Sequence, residues 1–201
     1  MAAPLFIKVV VAGPEHFRYA GAISRAIRHE VERGTIGMAL RAPSLLRAKM
    51  EEQNAILALA APKENASDKA SAKRQRWAGF CYVSPWEGGR FISTSALIVN
   101  PPFRGRGLAR LLKEQAFRLC RERYPAARPF GLSTSPAVLK INHDLGFEVA
   151  RYSDLPRDPD FWKGCESCPQ HGNLVANRGL TCHCTAMLYI LGTGPAFPKE
   201  E

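Results

Sequence analysis

No run in these 201 residues approaches the roughly 20 consecutive apolar residues that a membrane-spanning helix needs. Met1 to Val11 carries one lysine and a short apolar stretch, without the charged start and cleavage pattern of a signal peptide. A cytoplasmic protein with no membrane partner is expected. There is also no block of like charge: 28 Lys and Arg against 18 Asp and Glu give a net charge of +10, spread along the chain. That dispersal argues against nucleic acid as the partner and suits acidic small molecules. No internal repeat is present. Two phosphate-loop patterns are missing as well: the Gly-Lys-Ser/Thr ending of a Walker loop and the three-glycine dinucleotide fingerprint.

What remains is a chain with 46% hydrophobic residues, enough for one core and a small appendage. Its centre is the stretch Phe91 to Leu112. Phe91 to Val99 is rich in β-branched and apolar residues and reads as a strand, stopped by Pro101-Pro102. A helix follows near Gly107, with Leu108, Leu111, Leu112, Ala116, Leu119 and Cys120 on one buried face. Between the two lies Arg104-Gly105-Arg106-Gly107-Leu108-Ala109. Small residues let backbone approach a ligand, and free N–H groups at a helix start bind phosphate oxygens.

Elsewhere, Leu5 to Val11 reads as a strand and Pro14 to Arg33 as a helix. Ser44 caps a second helix running to about Glu52, and Ala55 to Ala60 forms a second strand. The stretch 62–75 is polar and predicted to be a mobile insert. Trp77 to Pro85 is a third strand, Pro129 to Ser135 a fifth, Ala137 to Leu145 a short helix, and Phe147 to Tyr152 a sixth strand. Periodicity by itself gives a mixed α/β domain.

The segment Leu97-x-Val99-x-Pro101-x-Phe103-Arg104-Gly105-x-Gly107-Leu108-Ala109 resembles the central motif of the GNAT superfamily of acyl-CoA N-acyltransferases. Asn142-His143-Asp144-Leu145-Gly146-Phe147 is similar to that family's helix ending in Gly-Phe. The resemblance covers about residues 5–155 and implies the α/β (α+β) GNAT fold, with a central mixed sheet of six to seven strands flanked by helices. It also implies acetyl-CoA as cosubstrate. Arg104, Gly105, Arg106, Gly107, Leu108 and Ala109 would hold its pyrophosphate, and Leu97, Ile98 and Val99 would line its pantetheine arm.

Six cysteines are present. Cys81 and Cys120 fall among apolar residues and read as core. Cys165-x-x-Cys168 and Cys182-x-Cys184 bracket a loop, a spacing that fits a structural tetrahedral Zn²⁺. An iron–sulfur cluster or free thiols are the other readings of the same residues. Three segments are therefore expected: an acyltransferase domain over 1–155, a cysteine-rich extension with a final strand (Ala186 to Leu191) over 156–192, and a loose tail over 193–201. The ending of the chain also resembles a bacterial GNAT subgroup associated with arginine biosynthesis.

Direct attack of an amine on a thioester needs a donor to the oxyanion, an acceptor for the amine proton and a proton for the thiolate. The resemblance implies a backbone N–H between Leu97 and Val99 as the oxyanion donor. Many relatives place a tyrosine where this chain has Asn142, whose amide can hydrogen-bond the cofactor but cannot deliver a proton. His143 is one candidate base and a solvent-facing histidine is its alternative; water held by Ser95, Ser133 or Thr134 is another. Arg25, Arg28, Arg33, Arg41 and Lys49 lie on the expected acceptor side, where arginine grips carboxylates in bidentate fashion. The leading acceptor is a small acidic amine, L-glutamate. The alternatives are protein or peptide amines, or an acyl-CoA-binding protein without turnover.

Overall fold

A computed structural model of the chain describes residues 5–35, 37–62, 75–179 and 181–191. The expected mobile insert falls almost wholly outside the described residues, as does the expected tail. Strand β1 (Leu5–Ala12) runs into a 3-10 turn (Pro14–Tyr19), helix α1 (Ala20–Glu32) and helix α2 (Pro43–Glu51). Three strands follow: β2 (Ala55–Pro62), β3 (Arg76–Trp86) and β4 (Phe91–Val99). Then come α3 (Leu108–Arg123), β5 (Arg128–Ser133), α4 (Pro136–Asp144) and β6 (Phe147–Val149). The short helices α5 (Pro159–Lys163) and α6 (His171–Ala176) precede β7 (Thr185–Tyr189).

The seven strands form one mixed sheet in the order β1-β2-β3-β4-β5-β7-β6. Neighbours are antiparallel except β4 and β5, which run parallel. That parallel pairing holds at only three positions, Phe91 with Arg128, Ile92 with Pro129 and Ser93 with Phe130. Beyond Ser93 no register joins β4 to β5, and the two strands diverge.

Several details differ from the sequence expectation, among them a sixth strand that ends at Val149 and a last strand that spans Thr185–Tyr189. The first helix begins at Ala20, because Pro14 and the residues after it close a tighter 3-10 turn. Pro43 occupies the first turn of α2, and Ala42, not Ser44, stands at its cap, since the fixed φ of proline suits that position. On α3 the buried face is rotated: Leu111 is 45% exposed, whereas Lys113 and Phe117 are buried. The rotation follows from a second packing partner. Phe117 joins Ile141, Leu145, Phe147, Met187 and Tyr189 in a core shared by α3, α4, β6 and β7. On its other side α3 sends Leu108, Leu112, Ala116 and Cys120 against β2 and β3.

Candidate active site

The divergence of β4 and β5 opens a cleft of about 880 Å³. Its floor is made by residues 93–97 of β4 and 130–133 of β5, with Lys113 and Asn142 beneath. The loop 37–41 and the start of α2 form one wall, and Trp162 to Cys168 with Cys182 and Cys184 form another. The cysteine-bearing stretch thus borders the cleft.

Strand β4 carries an irregularity at the mouth of the split. Phe80 pairs with Ile98 and Tyr82 with Ser95, so Ala96 and Leu97 together oppose Cys81. This is a β-bulge, and Ala96 adopts φ +53°, which costs a non-glycine residue strain. A bulge re-aims backbone groups locally, here at the cleft that Ser95, Ala96 and Leu97 line. No turn residue marks the bulge in the sequence, so nothing there announces it.

The glycine loop lies between β4 and α3. Gly105 and Gly107 have φ +72° and +74°, the left-handed region open to glycine without strain. Gly107 is the cap residue of α3, with no side-chain cap, and the first-turn N–H groups of the helix point into this loop. No heavy atom lies within 4 Å of where a Cβ would stand at either glycine. Such a loop at a helix start has the form of an anion-binding cradle. Arg104 is engaged elsewhere: its guanidinium pairs with Glu30 on α1 at 2.7 Å, and its Nε donates to Val99 O at 3.1 Å. The Arg104 bond holds the Glu30 carboxyl below the usual carboxylate range.

Asn142 is 1% exposed, and its Oδ1 has no partner among the described residues. His143, its neighbour, is 79% exposed with Nδ1 4.0 Å from Asp144 Oδ1, and it does not line the cleft. Its helix turns that face to solvent. Ser95 Oγ donates to Ser93 Oγ (3.4 Å), which also accepts from Trp86 Nε1 (2.9 Å). Of the five basic residues expected on the acceptor side, Arg41 and Lys49 line the cleft; Arg25, Arg28 and Arg33 do not. Arg41 Nε donates to Tyr82 Oη at 2.8 Å, and Lys49 pairs with Glu52.

The four clustered thiols are neighbours. Burial first, and then Cys182, Cys168 and Cys165, push the Cys184 thiol up to about 12. The first pair sits on a turn, with Cys168 N donating to Cys165 O at 2.9 Å. Among the described residues, however, no three or more His, Cys, Asp or Glu side chains are disposed to hold a metal ion. Cys182 Sγ instead faces Gln170 O at 4.0 Å. The four-thiolate zinc site expected of Cys165, Cys168, Cys182 and Cys184 is therefore not assembled in this arrangement.

Residues 44–137 match the family described as Acetyltransferase (GNAT) family. No curated protein matches the chain. Among solved structures, the chain is similar to N-acetylglutamate synthase from Neisseria gonorrhoeae complexed with coenzyme A and N-acetyl-glutamate, at 16% identity and TM-score 0.58. That match covers 94% of this chain and 36% of the synthase, so the chain spans about a third of the synthase's length. It is similar also to yncA of Salmonella typhimurium, a putative acetyltransferase with its cofactor acetyl-CoA (16% identity, TM-score 0.56, 98% and 99% covered). A third likeness is to mosquito arylalkylamine N-acetyltransferase like 5b (13% identity, TM-score 0.59, 92% and 100% covered). At these identities the likenesses show the fold.

Proposed function

Because residues 44–137 match the GNAT acetyltransferase family, we propose that the chain is an N-acetyltransferase that moves an acetyl group from acetyl-CoA to a small anionic primary amine, with L-glutamate the leading acceptor. The observation that carries this reading is the split sheet. A glycine-lined anion cradle at the start of α3 leads along the free edge of β4 into a cleft whose charged lining is mostly basic. The solved N-acetylglutamate synthase and yncA, which hold coenzyme A or acetyl-CoA, share this fold and support the choice of donor.

In this reading the N–H groups of Gly105 to Ala109 take the pyrophosphate of the donor, helped by the positive end of the helix dipole. Arg106 adds charge at the rim, and Arg104 holds α1 to the loop unless it leaves Glu30. Leu97, Ile98 and Val99 offer the strand edge to the pantetheine amides. Backbone N–H groups at the Ala96-Leu97 bulge stabilise the oxyanion, worth about 3–4 kcal/mol for one well-placed donor. Ser95 and Ser133 hold the water that takes the amine proton.

Arg41 and Lys49 receive the acceptor carboxylates. Arg41, Lys49, Lys113 and Lys163 face the cleft against Glu52 and Asp160, a balance that favours an acidic acceptor over a basic peptide. The test is mass detection of N-acetyl product after incubation with acetyl-CoA and L-glutamate beside pooled amino acids, polyamines and peptides. N-Acetylglutamate is the expected main product. Product on another amine alone would discard the glutamate assignment, and product on none would discard the acetyl-transfer reading.

A further inference from the structure

Lys113 is the one Lys, Arg, Asp or Glu that is buried among the described residues, at 3% exposure. It sits on the inner face of α3 and lines the cleft floor. Its Nζ donates to Thr94 Oγ1 at 2.5 Å and lies 5.6 Å from the centre of the Phe147 ring. No carboxylate among the described residues pairs with it. The titratable groups facing it are the thiols of Cys81 on β3 and Cys120 on α3, both pushed up to about 12 by burial and so neutral near pH 7.

Thr94 is the first residue past the last β4–β5 pair. Its Oγ1 and the Asn142 Nδ2 both lie within 4 Å of the position a Cβ would take at Gly131. The throat of the split therefore gathers a buried ammonium, a hydroxyl and a buried amide whose Oδ1 is unpartnered. Of these, the ammonium is the group with a proton to give at neutral pH, whereas the amide can only orient a ligand.

Resting on the acyl-transfer reading above, we propose that Lys113 is the acid that protonates the departing thiolate of the acyl donor. The amine nitrogen attacks the thioester carbon, so a C–N bond forms and the C–S bond breaks. The sulfur takes a proton from Lys113 Nζ and leaves as the thiol. The nitrogen sheds one proton to water in the cleft, and that water returns a proton to Lys113. One proton leaves nitrogen and one arrives on sulfur, with nothing oxidised or reduced. Burial lowers the Lys113 pKa to about 8, which brings its acidity near that of a thiol, the match at which general acid catalysis works best.

The test uses the full chain with Lys113→Met and Lys113→Arg, following kcat by mass-detected product across pH and CoA affinity by calorimetry. In Lys113→Met, kcat is expected to fall about 100-fold while CoA affinity stays within about twofold. The parent's kcat should decline as pH rises through about 8, and that limb should vanish in the variant. Lys113→Arg should not restore turnover, because a guanidinium keeps its proton.

Parent-like kcat in either variant, or a limb that persists in Lys113→Met, would overturn the role of Lys113 and leave acyl transfer intact. A parent protein that binds no CoA and acetylates no amine would overturn both. Should Lys113→Met not fold, NMR titration of the lysine Cε carbons in the parent decides: a lysine titrating with the kcat limb is expected, and none doing so overturns the proposal.

Discussion

The two halves of the sheet are built differently. Strands β1 to β4 form an antiparallel meander, paired along eight positions between β1 and β2 alone and filled on one side by Ile23, Leu46, Leu57 and Phe80. Strands β5, β7 and β6 form a second, shorter unit, joined to the first by three parallel pairs and by α3, which packs on both. The cleft opens where the ladder stops. A continuous sheet would satisfy its backbone internally and leave no edge for a ligand, whereas here the cleft is the gap between two units that are each well paired.

The largest effect is expected at the shared helix α3. Phe117 touches the rings of Phe147 and Tyr189, at 5.7 and 4.8 Å between centroids. Phe117→Ala is expected to cost about 3–5 kcal/mol by chemical denaturation. Hydrogen exchange should quicken in β5, β6 and β7 well before β1 to β3, and uniform quickening would show that the halves do not loosen separately.

A smaller effect, of opposite sign, is expected at the cleft floor. Burial places the folded pKa of Lys113 near 8, below its ordinary 10.5, so the unfolded chain binds more protons between those values. The penalty is thus complete below about pH 8 and fades as pH rises towards 10.5. Lys113→Met should stabilise the protein at pH 7 by about 1–3 kcal/mol in urea unfolding, with the gain shrinking at higher pH. A variant both slower and more stable would identify the lysine as a cost carried for function.

The smallest effect concerns the ion pair that ties α1 to the anion loop. Glu30→Gln should change stability by less than about 1 kcal/mol, because Arg104 is half-exposed. It should nevertheless tighten CoA binding about two- to fivefold by releasing Arg104 to the phosphates, a gain of under about 1 kcal/mol. Calorimetry reads this directly, and weaker binding would mean that the pair orders the loop for its ligand.

Much of this organisation is legible in the residues. The order of strands and helices follows from hydrophobic period and from the Gly and Pro stops, and the anion loop from Gly105 and Gly107. What was hidden has particular causes. Ala96 enters the left-handed region because pairing on both sides of it is fixed, a tertiary demand with no local sign. Lys113 draws no notice in the sequence until the buried Phe117, four residues on, is counted on its face. His143 and Asn142 are adjacent in sequence, yet one faces solvent and the other the cleft, because consecutive helix residues project about 100° apart. The cysteine spacing brought four thiols into one neighbourhood, but spacing does not set the directions in which they point.

The position of β7 has a consequence for how the molecule is made. Among the described residues β6 pairs with β7 and with no other strand, and β7 also covers the open flank of β5. Residues 147–149 therefore leave the ribosome with no strand to join until residues 185–189 follow. In that interval the meander can close on its own, while β5 presents a bare edge open to pairing with another chain. Completion of the β5-β7-β6 unit thus waits for the cysteine-bearing stretch between the two strands.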